Sequence, residues 1–346
     1  MLAMRKITCH ILAITVFMSM FLLFSGGAAS AVTVTTMPLS GTPLQLKISG
    51  HRVSYLDFVS LPDIMHVHSY NFSTGVDTDI TPVDTDRMDP NIDGDIVVWY
   101  ESSGLGLYMY DFNAPVVGGS AIPGSGTYSF QPNLSGPILA WRDMDFITTS
   151  ADIWYRQGAA STQVTNLPNN QLALAPDVSG NYIVWYWQDI SGPINTKIYY
   201  YDVANPVPGG TLFASGPSSQ ADPRISGSNV VYMDNIDGTD WEIFLVTLPG
   251  GTPQRITNNL TDDVTPDISG NYVVYARDGQ IFMYDITTLQ ETQLSDSGVA
   301  GTNVYPEIDG NHVVWLNQSV AGSFGYLATI QDETPPAPVT LPYTGR

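Results

Sequence analysis

One five-residue pattern recurs along this chain at a nearly constant spacing, and any fold assigned to the chain has to account for it. The pattern is Pro, any residue, an aliphatic, Ser or Asp, and Gly, followed by a short spacer and a β-branched run that ends in an aromatic. It appears as Pro90-Asn91-Ile92-Asp93-Gly94, Pro132-Asn133-Leu134-Ser135-Gly136, Pro176-Asp177-Val178-Ser179-Gly180, Pro223-Arg224-Ile225-Ser226-Gly227, Pro266-Asp267-Ile268-Ser269-Gly270 and Pro306-Glu307-Ile308-Asp309-Gly310. A further copy, Leu46-Lys47-Ile48-Ser49-Gly50, lacks only the proline. The glycines fall at 50, 94, 136, 180, 227, 270 and 310, a period of 40 to 47 residues.

Within each period the strand signals are local. Val230-Val231-Tyr232 matches Val97-Val98-Trp99, Ile183-Val184-Trp185, Val273-Val274-Tyr275 and Val313-Val314-Trp315, and such β-branched and aromatic runs between Gly and Asn are strand formers. A third strand follows as Leu107-Tyr108-Met109-Tyr110 or Ile198-Tyr199-Tyr200-Tyr201, closed by Asp111 or Asp202 at a turn. A polar fourth strand follows, of the Gln254-Arg255-Ile256-Thr257 type, suited to an edge with one wet face. Four strands per period, with no sustained helical periodicity, make this an all-β chain: a seven-bladed β-propeller of four-stranded antiparallel blades over residues 32–330. The aromatics that close the second strands, Trp99, Trp141, Trp185, Tyr232, Tyr275 and Trp315, read as fillers between neighbouring sheets.

The last repeat runs out of chain before its fourth strand, because the proline-rich segment follows Ile330. At the other end Val32-Thr33-Val34-Thr35-Thr36-Met37 alternates β-branched with polar residues and precedes the first repeat. Pairing it with the Phe324–Leu327 strand would close the ring without an open edge.

These motifs resemble the TolB-like propeller repeats of prokaryotic exported and cell-surface proteins, in the variant with Ile-Ser-Gly at the first turn. The resemblance spans about residues 44–330. It implies a disc-shaped propeller used for protein contacts and carries no catalytic residue with it.

Both ends of the chain resemble targeting signals. Arg5 and Lys6, the apolar run Ile11 to Phe24 and Ala29-Ser30-Ala31 form a signal peptide over 1–31, with Val32 as the mature N-terminus. Its removal takes away Cys9, the single cysteine, so disulfides contribute nothing to the mature chain. Residues 331–346 are a proline-rich linker ending in Leu341-Pro342-Tyr343-Thr344-Gly345-Arg346, which resembles the LPxTG sortase signal of Gram-positive surface proteins. That signal normally continues into an apolar segment and a basic tail. Either the sequence continues beyond Arg346, or the match is accidental and the protein is secreted; both place it outside the cytoplasm. Nothing in 32–346 is apolar enough for a membrane span.

The formal net charge is −21, and losing Arg5 and Lys6 makes it more negative. Such a chain repels nucleic acid and favours basic partners or cations. The acidity concentrates in the connections expected on one face: Asp84, Asp86, Asp143, Asp145, Asp189, Asp262, Asp263 and Asp278. A candidate calcium loop, Asp234-Asn235-Ile236-Asp237-Gly238-Thr239-Asp240, sets Asp234, Asp237 and Asp240 around a glycine, although an ordinary polar hairpin explains the same residues. His66 and His68 alternate along an apparent strand and, with His51 or His312, show no metal-ligand spacing, so they read as structural. No hydrolase elbow, zincin helix, P-loop or dinucleotide motif is present. The expectation is therefore a monomeric, non-catalytic module that binds a protein or glycan partner through its acidic loop face and needs no cofactor. The alternative is a propeller-type glycosidase or lyase with carboxylates or histidines at the channel mouth.

Overall fold

The computed structural model describes residues 32–59, 64–82, 85–193, 195–213 and 216–331. Every regular element among them is a β-strand. They form five four-stranded sheets and one eight-stranded sheet, the latter being two four-stranded arrays joined only at the Ala151–Leu172 parallel bridge. Each array meanders antiparallel; Asp263–Ser269, Tyr272–Arg277, Gln280–Asp285 and Gln290–Gln293 illustrate the order. The array containing Thr302–Asp309, His312–Ser319 and Gly322–Ile330 takes its outer strand from the start of the chain. There Val32–Thr36 pairs antiparallel with Gly322–Ile330, Val32 opposite Ile330 and Thr36 opposite Tyr326.

The structure gives each position of the repeated motif a physical reason. In every array the first strand slips register just before the motif's second residue, and the residue ahead of the proline position sits at positive φ: Gln45, Asp89, Gln131, Ala175, Asp222, Thr265 and Tyr305. This is a β-bulge, where a residue without an N–H costs no ladder bond, so proline is tolerated inside a strand. The motif glycine opens the first hairpin at positive φ. At Gly270, φ is +55° and an added Cβ would meet nothing within 4 Å, so the backbone angle and not lack of space calls for glycine.

At six junctions the Ser or Asp before the motif glycine reaches the next array. Ser49 accepts the Gly94 N–H at 2.9 Å, Asp93 that of Gly136 at 2.6 Å, Ser179 that of Gly227 at 2.9 Å, Ser226 that of Gly270 at 3.1 Å and Ser269 that of Gly310 at 2.9 Å. Asp309 accepts the Gly50 N–H at 2.6 Å, which links the last array to the first.

The space between arrays is filled as the composition suggests. Trp99, Trp141, Trp185, Tyr232, Tyr275 and Trp315 are essentially inaccessible to solvent and pack with Val, Ile and Leu of adjacent strands. Most have a ring from the third strand beside them, parallel in the Trp315–Tyr326, Tyr275–Phe282 and Trp185–Tyr199 pairs. Large aromatic area buried at every junction is the main cohesive term in a chain whose described part has no disulfide. No helix among the described residues is long and apolar enough to cross a membrane.

Candidate functional site

Two groups of polar side chains stand apart from this apolar packing. The first collects where the inner strands meet. The freely varying second position of the motif supplies Lys47, Asp177, Arg224, Asp267 and Glu307, one from each of five arrays. Lys47 pairs with Glu307 across the last-to-first junction and also acts electrostatically on Asp177 and Asp267, so these strands converge on a common centre. Burial would weaken the charge on Arg224, but Asp222, Glu307, Asp177 and Asp267 together outweigh it and hold the guanidinium charged. Asp267 is pushed well above the usual carboxylate range, first by burial and then by the charge of Glu307. Asp177 is raised by burial as well. Both carboxylates also accept a backbone N–H of the following array, from Ile308 to Asp267 at 2.7 Å and from Ile225 to Asp177 at 2.8 Å.

The second group lies on one face of the first array, whose strands are Pro43–Ser49, Arg52–Val59, Ile64–Asn71 and Val76–Asp79. Register puts Asp57 opposite His66, Tyr55 opposite His68, and His68 opposite Asp79. Because side chains alternate across a strand, His66 and His68 share a face with Tyr55, Asp57, Asp77 and Asp79. His66 Nδ1 lies 3.1 Å from Asp79 Oδ2, and His68 Nε2 lies 3.9 Å from both Asp79 Oδ1 and Asp57 Oδ2. On the other side of the ring, His68 Nδ1 is 3.6 Å from Asp77 Oδ2. Burial works against a charged His68, yet Asp77, Asp79 and Asp57 prevail and raise its pKa. Burial would raise Asp77, but His68, Ser40 and Tyr55 hold it down at about 2. His66, His68 and Asp79 each offer a ligand atom, all within 4.8 Å of one another, and form a group of metal-ligating side chains.

The acidic residues singled out from the sequence do not converge in this way. Asp84 lies outside the described residues, as do 1–31 with the signal peptide and 332–346 with Leu341, Pro342, Thr344 and Gly345. Asp86 is half-buried, and Asp278 is an exposed turn residue at φ +49°. Asp145, Asp189 and Asp262 spend carboxylate oxygens on backbone N–H groups of Ile147, Ser191 and Trp241. Asp263 is fully buried and gripped by Arg277. Asp143 and Asp145 border a recess of about 170 Å³ with Asp152, and Asp143 is raised by burial and then by Asp152. In the candidate calcium loop, Asp234 accepts from Gln220, Asp237 pairs with Arg255 and Asp240 accepts from Thr239, so each carboxylate has a separate partner.

The sequence reading takes His66 and His68 as structural from the lack of metal-ligand spacing with His51 or His312; what brings them together with carboxylates is the i, i+2 pair on one strand followed, one hairpin later, by Asp77 and Asp79 at the same period.

No protein-family model matches the chain, and no curated protein sequence does. Solved structures do. A puromycin-hydrolysing peptidase from Mycobacterium tuberculosis matches with a TM-score of 0.59 at 14% identity, over 81% of this chain and 50% of the peptidase. A prolyl endopeptidase matches with a TM-score of 0.62 at 11% identity, over 84% of this chain and 50% of the enzyme. The β-propeller domain of the Trilobed protease from Pyrococcus furiosus, described as having an open velcro topology, matches with a TM-score of 0.56 at 13% identity, over 74% of this chain and 82% of that domain. The chain spans about half the length of the two peptidases. The likeness establishes a β-propeller fold. It also corrects the expected function: the fold's neighbours are peptidases, matched in their propeller part and not in their catalytic domain. The free-standing module for a protein or glycan partner is therefore set aside, together with the glycosidase or lyase alternative.

Proposed function

We propose that this chain is the propeller part of a peptidase system, handling peptide for a bond-cleaving unit that the propeller itself does not contain. The observation that carries this reading is the correspondence, over more than four-fifths of the chain's length, with about half of each of two peptidases. In this proposal the seven arrays are blades of one ring, closed where Val32–Thr36 joins Gly322–Ile330. The TolB-like resemblance of the repeats belongs to the same proposal.

The mixed charges at the centre suit an extended peptide. Lys47 and Arg224 offer donors to a C-terminal carboxylate, while Asp177, Asp267 and Glu307 offer carboxyl oxygens as acceptors to backbone N–H groups. Export is likewise proposed from the leader and the Leu341–Gly345 segment; a mature N-terminus at Val32, read by mass spectrometry of the protein recovered from its host, is the result expected.

The functional test is fluorescence anisotropy with a labelled, proline-containing peptide a few residues long, combined with chromatography of the same sample. The proposal expects saturable binding that weakens severalfold in Lys47→Ala, with the peptide recovered intact. No binding by the folded protein would overturn it, and so would cleavage by the pure chain.

A further inference from the structure

The first array differs from the sixth at the residues where charge has to be balanced. In the sixth array Tyr275 donates its hydroxyl proton to Glu291, and Arg277 pairs with both Glu291 and Asp263. In the first array Tyr55 donates likewise to Asp77, at 2.5 Å. Counting from the motif glycine, however, Asp57 stands where Arg277 stands, and by strand register His68 faces Tyr55 as Phe282 faces Tyr275. The guanidinium is replaced by a carboxylate and the stacked ring by an imidazole. Ion-pair partners of Asp57, Asp77 and Asp79 among the described residues are histidines.

We propose that this face of the first array is a binding site for a divalent transition metal of the zinc type, held by His66, His68 and Asp79 with Asp57 beside them. Two imidazoles and a carboxylate are donors that zinc takes, and a hard oxygen-seeking ion such as calcium is poorly served by imidazole. His68 presents Nε2 to Asp79 and Asp57, while its Nδ1 faces Asp77. At 3.6 Å Asp77 stands as an ion-pair partner on the side of the ring from which a carboxylate orients a ligating imidazole. Asp77 is itself fixed, accepting from the Ser40 N–H at 3.1 Å and the Ser40 hydroxyl at 2.6 Å in addition to Tyr55. The histidines are about nine-tenths buried, while the Asp79 side chain is 32% exposed and leaves a way in for the ion. A dication here takes the place of the positive charge that Arg277 supplies in the sixth array.

The test is calorimetric titration of the metal-stripped protein with Zn²⁺ alone, run with thermal melts in Zn²⁺ and in Ca²⁺. One Zn²⁺ per chain is expected, with a higher Tm in Zn²⁺ than in Ca²⁺ and a Co²⁺ derivative showing intense visible absorption. Asp79→Asn and His68→Phe should abolish that binding; the phenylalanine restores the residue type found at the matching place in the sixth array and keeps the packing. Asp77→Asn should weaken binding by about 10- to 100-fold, the usual cost of losing such a support. If His68→Phe fails to fold, His66→Gln takes its place in the comparison. No uptake of Zn²⁺ by the wild-type protein would overturn the site, as would uptake that survives both Asp79→Asn and a histidine substitution.

Discussion

Arg277 holds Asp263 through two hydrogen bonds, from Nε at 2.6 Å and from Nη2 at 3.3 Å, and Asp263 is entirely shut off from solvent. Removing one member of a buried ion pair leaves the other charge without its counter-ion, here with the Asn259 amide still donating to Asp263 at 2.6 Å, and costs about 3–5 kcal/mol. Arg277→Met is therefore expected to lower stability by that order in urea denaturation at neutral pH. Its deficit relative to wild type should shrink as pH falls and Asp263 takes up a proton.

Asp267 carries the opposite consequence. Burial and Glu307 raise its pKa in the folded state, so the folded protein binds this proton more tightly than the unfolded chain does. The site adds stability below the unfolded carboxylate pKa, and the contribution is lost as pH rises through the folded value. Asp267→Asn keeps an acceptor for the Ile308 N–H while removing the charge. It is expected to raise Tm at neutral pH, with the gain over wild type disappearing in acid. Equal Tm values for the two proteins at neutral pH would contradict the assignment.

The junction of first and last arrays is held by the Val32–Thr36 strand, by the Asp309–Gly50 hydrogen bond and by Met37, whose N–H bonds the Gly325 carbonyl at 2.8 Å. A protein starting at Ser40 should lose Tm by more than its small loss of length suggests. Amide exchange along Gly322–Ile330 should accelerate before exchange elsewhere, because that strand becomes an unprotected edge. Unchanged protection of Gly322–Ile330 in that variant would count against ring closure by the N-terminal strand.

Much of this fold was legible in the repeat. Period, strand order and the buried aromatics such as Trp99 and Trp315 follow from composition and spacing, because burial and turn chemistry act locally. The pairing of Val32–Thr36 with the last repeat was anticipated from an unpaired edge. The reasons behind the motif were not legible. That Ser49 bonds Gly94 depends on how one array sits on the next, and a single repeat carries no sign of it. The same holds for the sites. Individual acidic residues could be read off, but their partners could not: Asp263 looked like part of an open rim and is a buried partner of Arg277. The carboxylates around His68 could not be read off, because Asp77 and Asp79 come from the following strand.

The central claim, a propeller that handles peptide without cleaving it, is tested most directly by photocrosslinking. A short proline-containing peptide bearing a photoreactive phenylalanine analogue is irradiated with the pure protein, and the adducts are mapped by mass spectrometry. The account predicts intact peptide attached to the inner strands around Lys47, Asp177 and Glu307, with labelling competed away by unlabelled peptide. Labelling scattered over the outer strands without competition, or recovery of cleaved peptide, would contradict it.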